Sequence, residues 1–224
     1  MVLSTAAAYR LWAPSYDTDP NPLLALEERL LGDLLADVVC RTLIDVGCGT
    51  GRSMLRYLAR GAQIFGADPS PEMLAQACKK PGVAARLVQA EASHLPFADQ
   101  IADLTVCSFA LSYFHDLQRS LGELSRITKR TGRIVISDLH PGAVANGWTR
   151  SFRAGNNTYE MSHAPHAIEN VHAACKEVGL RIAHEEDAGF GGPERSIFVA
   201  ARKEHVYSTL IGKPAVRVFV CTKI

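Results

Sequence analysis

The sequence predicts an α/β fold in which a doubly wound sheet of parallel strands is covered by helices on both faces. Short, almost wholly apolar runs such as 42–46 and 104–109 alternate with amphipathic helical segments. Strands of this kind are buried on both faces and are joined by right-handed crossovers. A glycine-rich turn at 47–51 follows the first of these strands, as it does in nucleotide-binding sheets.

The elements follow in order along the chain. Leucines at three- and four-residue steps, from Leu23 through Leu34 to Val38, predict an amphipathic helix, preceded by a shaped loop over 9–22. Apolar runs predict seven strands, at 42–46, 63–67, 85–89, 104–109, 133–137, 181–185 and 216–221. Helices are expected around 54–59, 71–79, 117–127 and 165–178, and a hairpin around 154–157. Residues 195–211 fit a helix or a strand equally well.

Composition excludes several classes of protein. With 224 residues, 47% of them apolar, and a formal net charge of +1, the chain is expected to form one domain, 1–224, without the electrostatic footprint of a nucleic-acid or membrane-surface binder. No apolar run approaches the roughly 20 residues of a membrane span, and residues 1–12 lack a signal-peptide pattern. The six scattered cysteines predict reduced thiols and a cytoplasmic location.

The glycine turn predicts a nucleotide cradle, because glycines let backbone N–H groups approach a ligand at a helix N-terminus. Gly47, Gly49 and Gly51 lie in the turn, but Arg52 stands where a dinucleotide fold has its third glycine. The Gly-Lys-Ser/Thr ending of a P-loop is also absent. The turn therefore favours neither of these phosphate-binding patterns.

Two carboxylates narrow the choice of ligand. Asp45, two residues before the turn, would repel a pyrophosphate and favour a cationic amine. Asp68 ends the second strand, where such folds place an acid that accepts hydrogen bonds from ribose hydroxyls. A nucleoside that carries an amine and no phosphate is S-adenosylmethionine.

The ordered motifs resemble those of class I S-adenosylmethionine-dependent methyltransferases. The resemblance covers about residues 42–138, and its closest subgroup is the small-molecule enzymes that include the quinone-biosynthesis and malonyl-carrier methyltransferases. It rests on 43–51 (LIDVGCGTG), 66–74 (GADPSPEML), 90–97 (AEASHLPF), 103–111 with 116–127, 132–138 (GRIVISD) and the N-terminal 12–17 (WAPSYD). The resemblance implies a seven-stranded mixed sheet with the last strand antiparallel, and a helical cap at 1–40.

The resemblance also implies roles for individual residues. Asp45, Gly47 and Gly49 would face the methionine amine and carboxylate, and Asp68 would hold the ribose. The other implied cofactor contacts are Met73 on the adenine, Glu91 and Ala92 at the adenine edge, Ser108 and Phe109 beneath the methionine arm, and Tyr16 closing over the methyl group. Met73 fits a core position on an amphipathic helix equally well.

The acceptor side departs from the subgroup pattern. Its frequent His-His pair after the fourth strand is replaced by 112–115 (SYFH), and the segment 141–166 is long enough to be a substrate lid. In that segment Arg150 and Arg153 are candidates to pair with an anionic acceptor. His140, His166 and Tyr113 are the candidate general bases. His163, His166, His172 and Cys175 have metal-ligand spacing, but no supporting acid is evident, so no metal is expected.

The resemblance implies transfer of a methyl group to a small molecule whose nucleophilic atom is O, N, C or S. The leaving group is neutral, so the enzyme acts mainly by positioning, and a base is needed only for a protonated nucleophile such as a hydroxyl. Two alternatives remain at this point: an NAD(P)-dependent oxidoreductase, and a catalytically silent cofactor-binding scaffold.

Overall fold

A computed structural model describes residues 1–35, 41–162 and 165–224. Its strands are β1 (Val2–Leu3), β2 (Thr42–Val46), β3 (Gln63–Asp68), β4 (Leu87–Gln89), β5 (Ala102–Ser108), β6 (Thr128–Leu139), β7 (Arg150–Ala154), β8 (Asn157–Met161), β9 (Leu180–Gly189) and β10 (Pro214–Lys223). Its α-helices are α1 (Thr5–Trp12), α2 (Pro22–Leu34), α3 (Met54–Ala59), α4 (Pro71–Ala77), α5 (Leu117–Ile127), α6 (Pro141–Ala145), α7 (Ile168–Glu177), α8 (Gly192–Ala200) and α9 (Glu204–Leu210).

The large sheet confirms the predicted topology. Its seven strands lie in the order β4-β3-β2-β5-β6-β10-β9, and β10 runs antiparallel to both of its neighbours. The chain proceeds from β2 to one side through β3 and β4, and then crosses to β5 on the other side. Ligands of open α/β sheets bind at such a switch point, at the carboxyl ends of the strands.

Alternating side chains of the strands enter two hydrophobic cores, one on each face of the sheet. On β2, Leu43 packs into the first core and Ile44 into the second, and both are fully buried. Helices α2, α3, α4, α8 and α9 contribute to the first core, and α5 and α7 to the second. Burial on both faces explains why these strands read as continuous apolar runs.

A small second sheet joins the N-terminus to the predicted hairpin. Its order is β1-β8-β7, with Val2 of β1 opposite Glu160 of β8. Trp12 of α1 stacks on Phe152 of β7, with ring centroids 4.9 Å apart. The cap and the segment after β6, which the sequence presents as separate parts, are therefore packed together.

Some boundaries differ from the sequence-based expectations. The ambiguous segment 195–211 contains α8 and α9, and β6 begins five residues earlier than expected, at Thr128. Helix α2 ends at Leu34, and Val38, the last residue of the leucine stripe, lies outside the described residues. Among the helices that the structure describes, none is long and apolar enough to cross a membrane.

Candidate cofactor site

The glycine turn after β2 requires glycine for steric reasons. Gly47, Gly49 and Gly51 have φ angles of 76°, 54° and 69°, which disfavour residues with a Cβ atom. A Cβ on Gly47 would lie only 2.6 Å from the Cβ of Ala110, which follows β5. The turn is thereby held close to the end of β5, at the switch point of the sheet.

Asp45 lies directly beneath this turn with one oxygen unsatisfied. Its side chain is buried, Oδ2 accepts a 2.6 Å hydrogen bond from the Ser53 hydroxyl, and Oδ1 is buried without a partner. Burial raises the pKa of Asp45 to about 7, and the nearby carboxylates of Glu27 and Asp68 act in the same direction. A buried acceptor without a donor is costly, and a cationic amine would satisfy both the orphaned oxygen and the charge.

Asp68, at the end of β3, connects that strand to the turn. Its Oδ2 accepts from the Gly49 N–H and its Oδ1 from the Ser70 N–H, both at 2.8 Å. Burial raises the pKa of Asp68 to about 6, although these two backbone hydrogen bonds lower it. The carboxylate is therefore fixed in orientation, and each oxygen keeps a further lone pair for a hydroxyl donor.

The end of β5 carries a backbone conformation that is rare for a side chain of this size. Phe109 has a φ of 52°, donates its N–H to the Ser137 carbonyl at 2.8 Å and accepts at its own carbonyl from Arg150 at 3.0 Å. Residues held in this region are concentrated at functional sites. Ser108 is the last paired residue of β5, and the chain turns away from the sheet at Phe109, where the glycine turn approaches.

The glycine turn, Asp45 and the end of β5 surround a cavity of about 50 Å³. It is lined by Tyr16, Leu24, Glu27, Leu31, Asp45, Gly47, Cys48, Gly49, Thr50, Arg52, Ser53, Arg56, Tyr57, Val106, Ser108 and Phe109. Six of the ten sequence-predicted cofactor residues, those at 16, 45, 47, 49, 108 and 109, are therefore brought together. A larger cavity of about 420 Å³ lies between α7 and β9, away from all ten.

The other four predicted cofactor residues lie along the β3 and β4 side of the same edge. Asp68 contacts the turn as described, and Met73 is buried beneath it, with its Cε 3.1 Å from where a Gly49 Cβ would be. Glu91 is exposed, and Ala92 is buried in the second core. Met73 thus supports the turn from below, as an ordinary core residue would.

The N-terminal cap is fastened to the glycine turn. The Asp17 carboxylate accepts from the Thr50 hydroxyl at 2.6 Å and pairs with Lys80, which also donates to the Thr50 carbonyl at 2.6 Å. Beside it, burial raises the pKa of Tyr16 to about 12, and the Tyr16 ring packs edge-on against Trp12 at 4.7 Å. This contact places Tyr16 over the cavity.

A buried ion pair links the hairpin to the ends of β5 and β6. Arg150 pairs with Asp138, donates to the Tyr113 hydroxyl at 3.1 Å, and lies 5.1 Å from the ring centroids of both Phe109 and Tyr113. Asp138 also accepts from the backbone and the hydroxyl of Ser112 at 2.6 and 2.7 Å. The pairing of Arg150 with an anionic acceptor stays a prediction, and in this arrangement the charge of Arg150 is balanced by Asp138. Arg153, by contrast, is exposed.

The candidate histidines have other contacts. His140 accepts at Nδ1 from the Gly142 N–H at 3.0 Å, and its Nε2 lies 3.3 Å from Asp187. His166 contacts the Phe114 carbonyl through Nε2 at 3.0 Å. Neither histidine lines the cavity. His172 pairs with Glu185, His163 lies outside the described residues, and the described residues contain no group of three or more potential metal ligands.

Glu27 and Arg52 also line the cavity, in addition to the residues predicted from the sequence. Glu27, on α2, is 3% exposed and lines the cavity opposite the glycine turn. Its signal is present in the sequence, since Leu23, Leu24, Leu30 and Leu31 stand three and four positions on either side of it. A carboxylate in the middle of an apolar helix face is buried with it and needs a partner.

Comparisons with known proteins agree with this architecture. The family model described as "Methyltransferase domain" matches residues 44–136. A demethylmenaquinone methyltransferase of Thermus thermophilus is 35% identical over 204 residues, covering 77% of this chain and 91% of that protein. A malonyl-[acyl-carrier protein] O-methyltransferase of Pectobacterium atrosepticum is 29% identical over 81% of this chain and 70% of its own length. A solved S-adenosylmethionine-dependent methyltransferase from Mesorhizobium loti shares the fold, with a TM-score of 0.66 at 20% identity over 89% of this chain and 99% of that one.

The fold and the glycine turn define the class of open α/β sheets that bind a nucleotide-like cofactor at their switch point. The chain belongs to the S-adenosylmethionine-dependent methyltransferase family. Its cofactor is S-adenosylmethionine, and it transfers a methyl group to a small molecule. The comparisons offer no support for the alternative of a nicotinamide-dependent oxidoreductase.

Proposed function

We propose that the cofactor lies along the carboxyl ends of β2, β3 and β5 and that the acceptor binds beneath the N-terminal cap. The observation that carries the proposal is the orphaned Asp45 Oδ1, a buried acceptor in the cavity below the glycine turn. When bound, S-adenosylmethionine supplies an electrophilic methyl group and a neutral leaving group. The chain then has to bind, orient and exclude water.

Each predicted cofactor residue has a role in this proposal. Asp45 holds the cofactor amine, Asp68 accepts from the ribose hydroxyls, and the backbone at Gly47 and Gly49 lies against the methionine arm. The remaining contacts come from Glu91 and Ala92 at the adenine edge, Met73 below it, Ser108 and Phe109 at the floor and Tyr16 at the roof. Their support is the shared edge of the sheet and, for six of the ten, the shared cavity.

The acceptor we propose is a planar aromatic molecule. The Tyr9 ring lies against both Tyr16 and Tyr113, with centroid distances of 6.4 and 6.0 Å. The charges of Arg150 and Asp138 beside these rings cancel each other. The Thermus relative is named for demethylmenaquinone, which contains a planar ring system of this kind. An anionic acceptor is disfavoured because Arg150 is already paired.

For a hydroxyl nucleophile, Tyr113 is the base candidate with the best position. Its hydroxyl accepts from Arg150, and its ring packs around the same guanidinium as Phe109, which lines the cavity. Burial raises the pKa of Tyr113, although Arg150 opposes this, so Tyr113 would act as a proton relay rather than as a resting phenolate. His140 and His166 are the other candidate bases, and their contacts lie away from the cavity.

We also propose a single domain over 1–224, with a cap at 1–40, a cofactor core at 42–138 and a lid at 141–166. The packing of the hairpin on α1 supports a joint cap and lid. A cytoplasmic location and the absence of nucleic-acid partners are part of the same proposal. They are supported by the free cysteines Cys48, Cys78, Cys107, Cys175 and Cys221 and by the near-zero net charge.

The test of the cofactor site is Asp68→Ala. A hydrogen bond to a charged group contributes about 1.5–3 kcal/mol, so we expect affinity for S-adenosylhomocysteine to fall roughly ten- to over a hundredfold. Isothermal titration calorimetry measures this, with thermal unfolding as the check on the fold. Asp99→Ala removes an exposed carboxylate elsewhere and should leave the affinity unchanged. NAD and NADP should show no saturable binding at millimolar concentration, and unchanged affinity in Asp68→Ala would remove the ribose assignment.

The acceptor is tested with a methyl donor labelled in its methyl group and two panels of small molecules. We expect label in planar quinols or phenols and none in aliphatic carboxylates. Label appearing in the carboxylates alone would contradict the aromatic acceptor. Binding of the cofactor without label in either panel would favour the silent scaffold.

A further inference from the structure

The buried carboxylate of Glu27 has fewer partners than its location requires. Its Oε1 accepts one hydrogen bond, from the Ser137 hydroxyl of β6 at 2.7 Å. Its Oε2 lies 3.9 Å from Nη2 of Arg52, which is beyond hydrogen-bonding distance. Burial of a carboxylate is costly unless it is closely paired and hydrogen bonded, so a core role alone does not account for Glu27.

Arg52 approaches the same cavity from the glycine turn. Its Nη1 donates to Glu28 on the outer side of α2 at 2.8 Å, while Nη2 is directed towards Glu27. Its side chain is 29% exposed, so the guanidinium spans from solvent to the cavity wall. Neither group forms a tight contact with the other, and both line the cavity.

The cavity therefore has a characteristic arrangement of charge. Two buried carboxylates line it, those of Asp45 below the glycine turn and of Glu27 opposite the turn, and Asp45 keeps an unpartnered oxygen. One guanidinium, that of Arg52, stands beside them. A ligand that complements this wall needs an ammonium and a carboxylate a few ångströms apart, which is the charge pattern of an α-amino acid.

We propose that Glu27 and Arg52 form a clamp with Asp45 for the α-amino acid end of the cofactor. Glu27 and Asp45 hold the ammonium group, and Arg52 holds the carboxylate. The clamp rests on the proposed placement of the cofactor. It adds one binding residue, Glu27 of α2, that lies outside the glycine-turn motif. Because Glu27 belongs to the cap, the amino acid end of the ligand also ties the cap to the sheet.

Three ligands separate the parts of the clamp in calorimetric titrations. S-adenosylhomocysteine has the ribose, the ammonium and the carboxylate; decarboxylated S-adenosylmethionine lacks the carboxylate; and 5′-methylthioadenosine lacks both charged groups. We expect Glu27→Gln to weaken the first two roughly ten- to a hundredfold and to leave methylthioadenosine within about twofold. Arg52→Gln should weaken only S-adenosylhomocysteine.

Control variants distinguish loss of the clamp from misfolding and from the removal of any negative charge on α2. Asp33→Asn removes the same charge from an exposed position on α2 and should leave all three affinities within about twofold. Binding of methylthioadenosine to Glu27→Gln reports directly that the variant is folded. Equal loss of all three ligands in Glu27→Gln, or no loss of S-adenosylhomocysteine, overturns the clamp.

The outcome also separates this inference from the proposed function. Asp68→Asn should weaken all three ligands, because each of them contains the ribose. If the wild-type protein binds none of them, both proposals fail. If it binds them and Asp68→Asn behaves as expected while Glu27→Gln and Arg52→Gln do not, only the clamp fails.

Discussion

Asp45→Asn is expected to make the ligand-free protein more stable above pH 7 while weakening its binding of the cofactor. The pKa of Asp45 is about 7 in the folded chain, against an ordinary value of 3.8. Between these two values the folded state holds a proton that the unfolded state has lost, so the free energy of unfolding falls as the pH rises through this window. A tenfold difference in proton affinity between the two states corresponds to about 1.4 kcal/mol.

The asparagine carries no charge to bury, so the stability of the variant relative to the wild type should increase with pH. We expect the stability of Asp45→Asn relative to wild type to increase by roughly 3 kcal/mol between pH 5 and pH 8. Urea unfolding at a series of pH values measures this. S-adenosylhomocysteine should raise the melting temperature of the wild type much more than that of the variant, because the ammonium loses a charged partner.

Asp103→Asn is the control with the opposite sign. Although burial acts to raise it, the pKa of Asp103 is lowered by Lys129 and by the backbone N–H groups of Arg41 and Thr42. The ionised Asp103 carboxylate therefore stabilises the fold at pH values above its ordinary pKa, and this stabilisation is lost in acid. At pH 8 the free energy of unfolding of Asp103→Asn should be lower than that of the wild type. If Asp45→Asn were also less stable than the wild type at pH 8, the claim that ionised Asp45 destabilises the fold would be wrong. We interpret the buried charge of Asp45 as a loss of stability that is retained because the charge is needed for binding, as is common in binding sites.

The strands and the glycine turn are predictable from sequence because each is specified locally. β2 occupies 42–46 as expected, since a run buried on both faces is apolar throughout and ends at the glycines. The same pattern locates Asp45 and Asp68, which are carboxylates adjoining buried strands. Residues 195–211 are harder to assign from sequence, because the spacing of their apolar side chains fits both the period of a helix and that of a strand. The signal that decides is Pro193 at the helix start together with Glu194, whose carboxylate accepts from the Gly191 N–H at 2.8 Å.

The rest of the site depends on contacts between residues distant in sequence. Glu27 meets Ser137 across 110 positions, and Tyr16, which lines the cavity, follows a chain segment held by Trp12 and by the contacts of Asp17 with Thr50 and Lys80. Motif spacing carries no information on such partners. Arg150 illustrates the same limit: its charge suggests an anionic ligand, but its partner is Asp138 of the preceding strand.

Loss of Arg150 should produce the largest decrease in stability among these variants. Arg150→Met removes the partner of Asp138, whose side chain is 7% exposed, and leaves that carboxylate buried with hydrogen bonds but no counter-charge. Breaking one side of a buried pair costs about 3–5 kcal/mol, which in a chain of this size lowers the melting temperature by roughly 10 °C. Calorimetry or circular dichroism at pH 7.5 measures it.

Arg153→Met is the matched control, because Arg153 is exposed on the same strand; its effect should stay within about 0.5 kcal/mol. A double variant, Arg150→Met with Asp138→Asn, then tests the cause. If the unpaired charge is the main cost, the double variant should be more stable than the sum of the two single losses requires. Strict additivity would instead assign the loss to packing of the guanidinium between Phe109 and Tyr113.

The same pair limits how the hairpin can move. A lid that opened fully would have to withdraw Arg150 from Asp138, from the Phe109 carbonyl and from the Tyr113 hydroxyl at once. We therefore expect the β7 backbone amides that pair with β8 to be protected from hydrogen exchange even without ligand, and to lose that protection in Arg150→Met but not in Arg153→Met. Rapid exchange of these paired amides in the wild type would contradict a hairpin held in place by the ion pair, and Arg150 would then be available to an anionic acceptor.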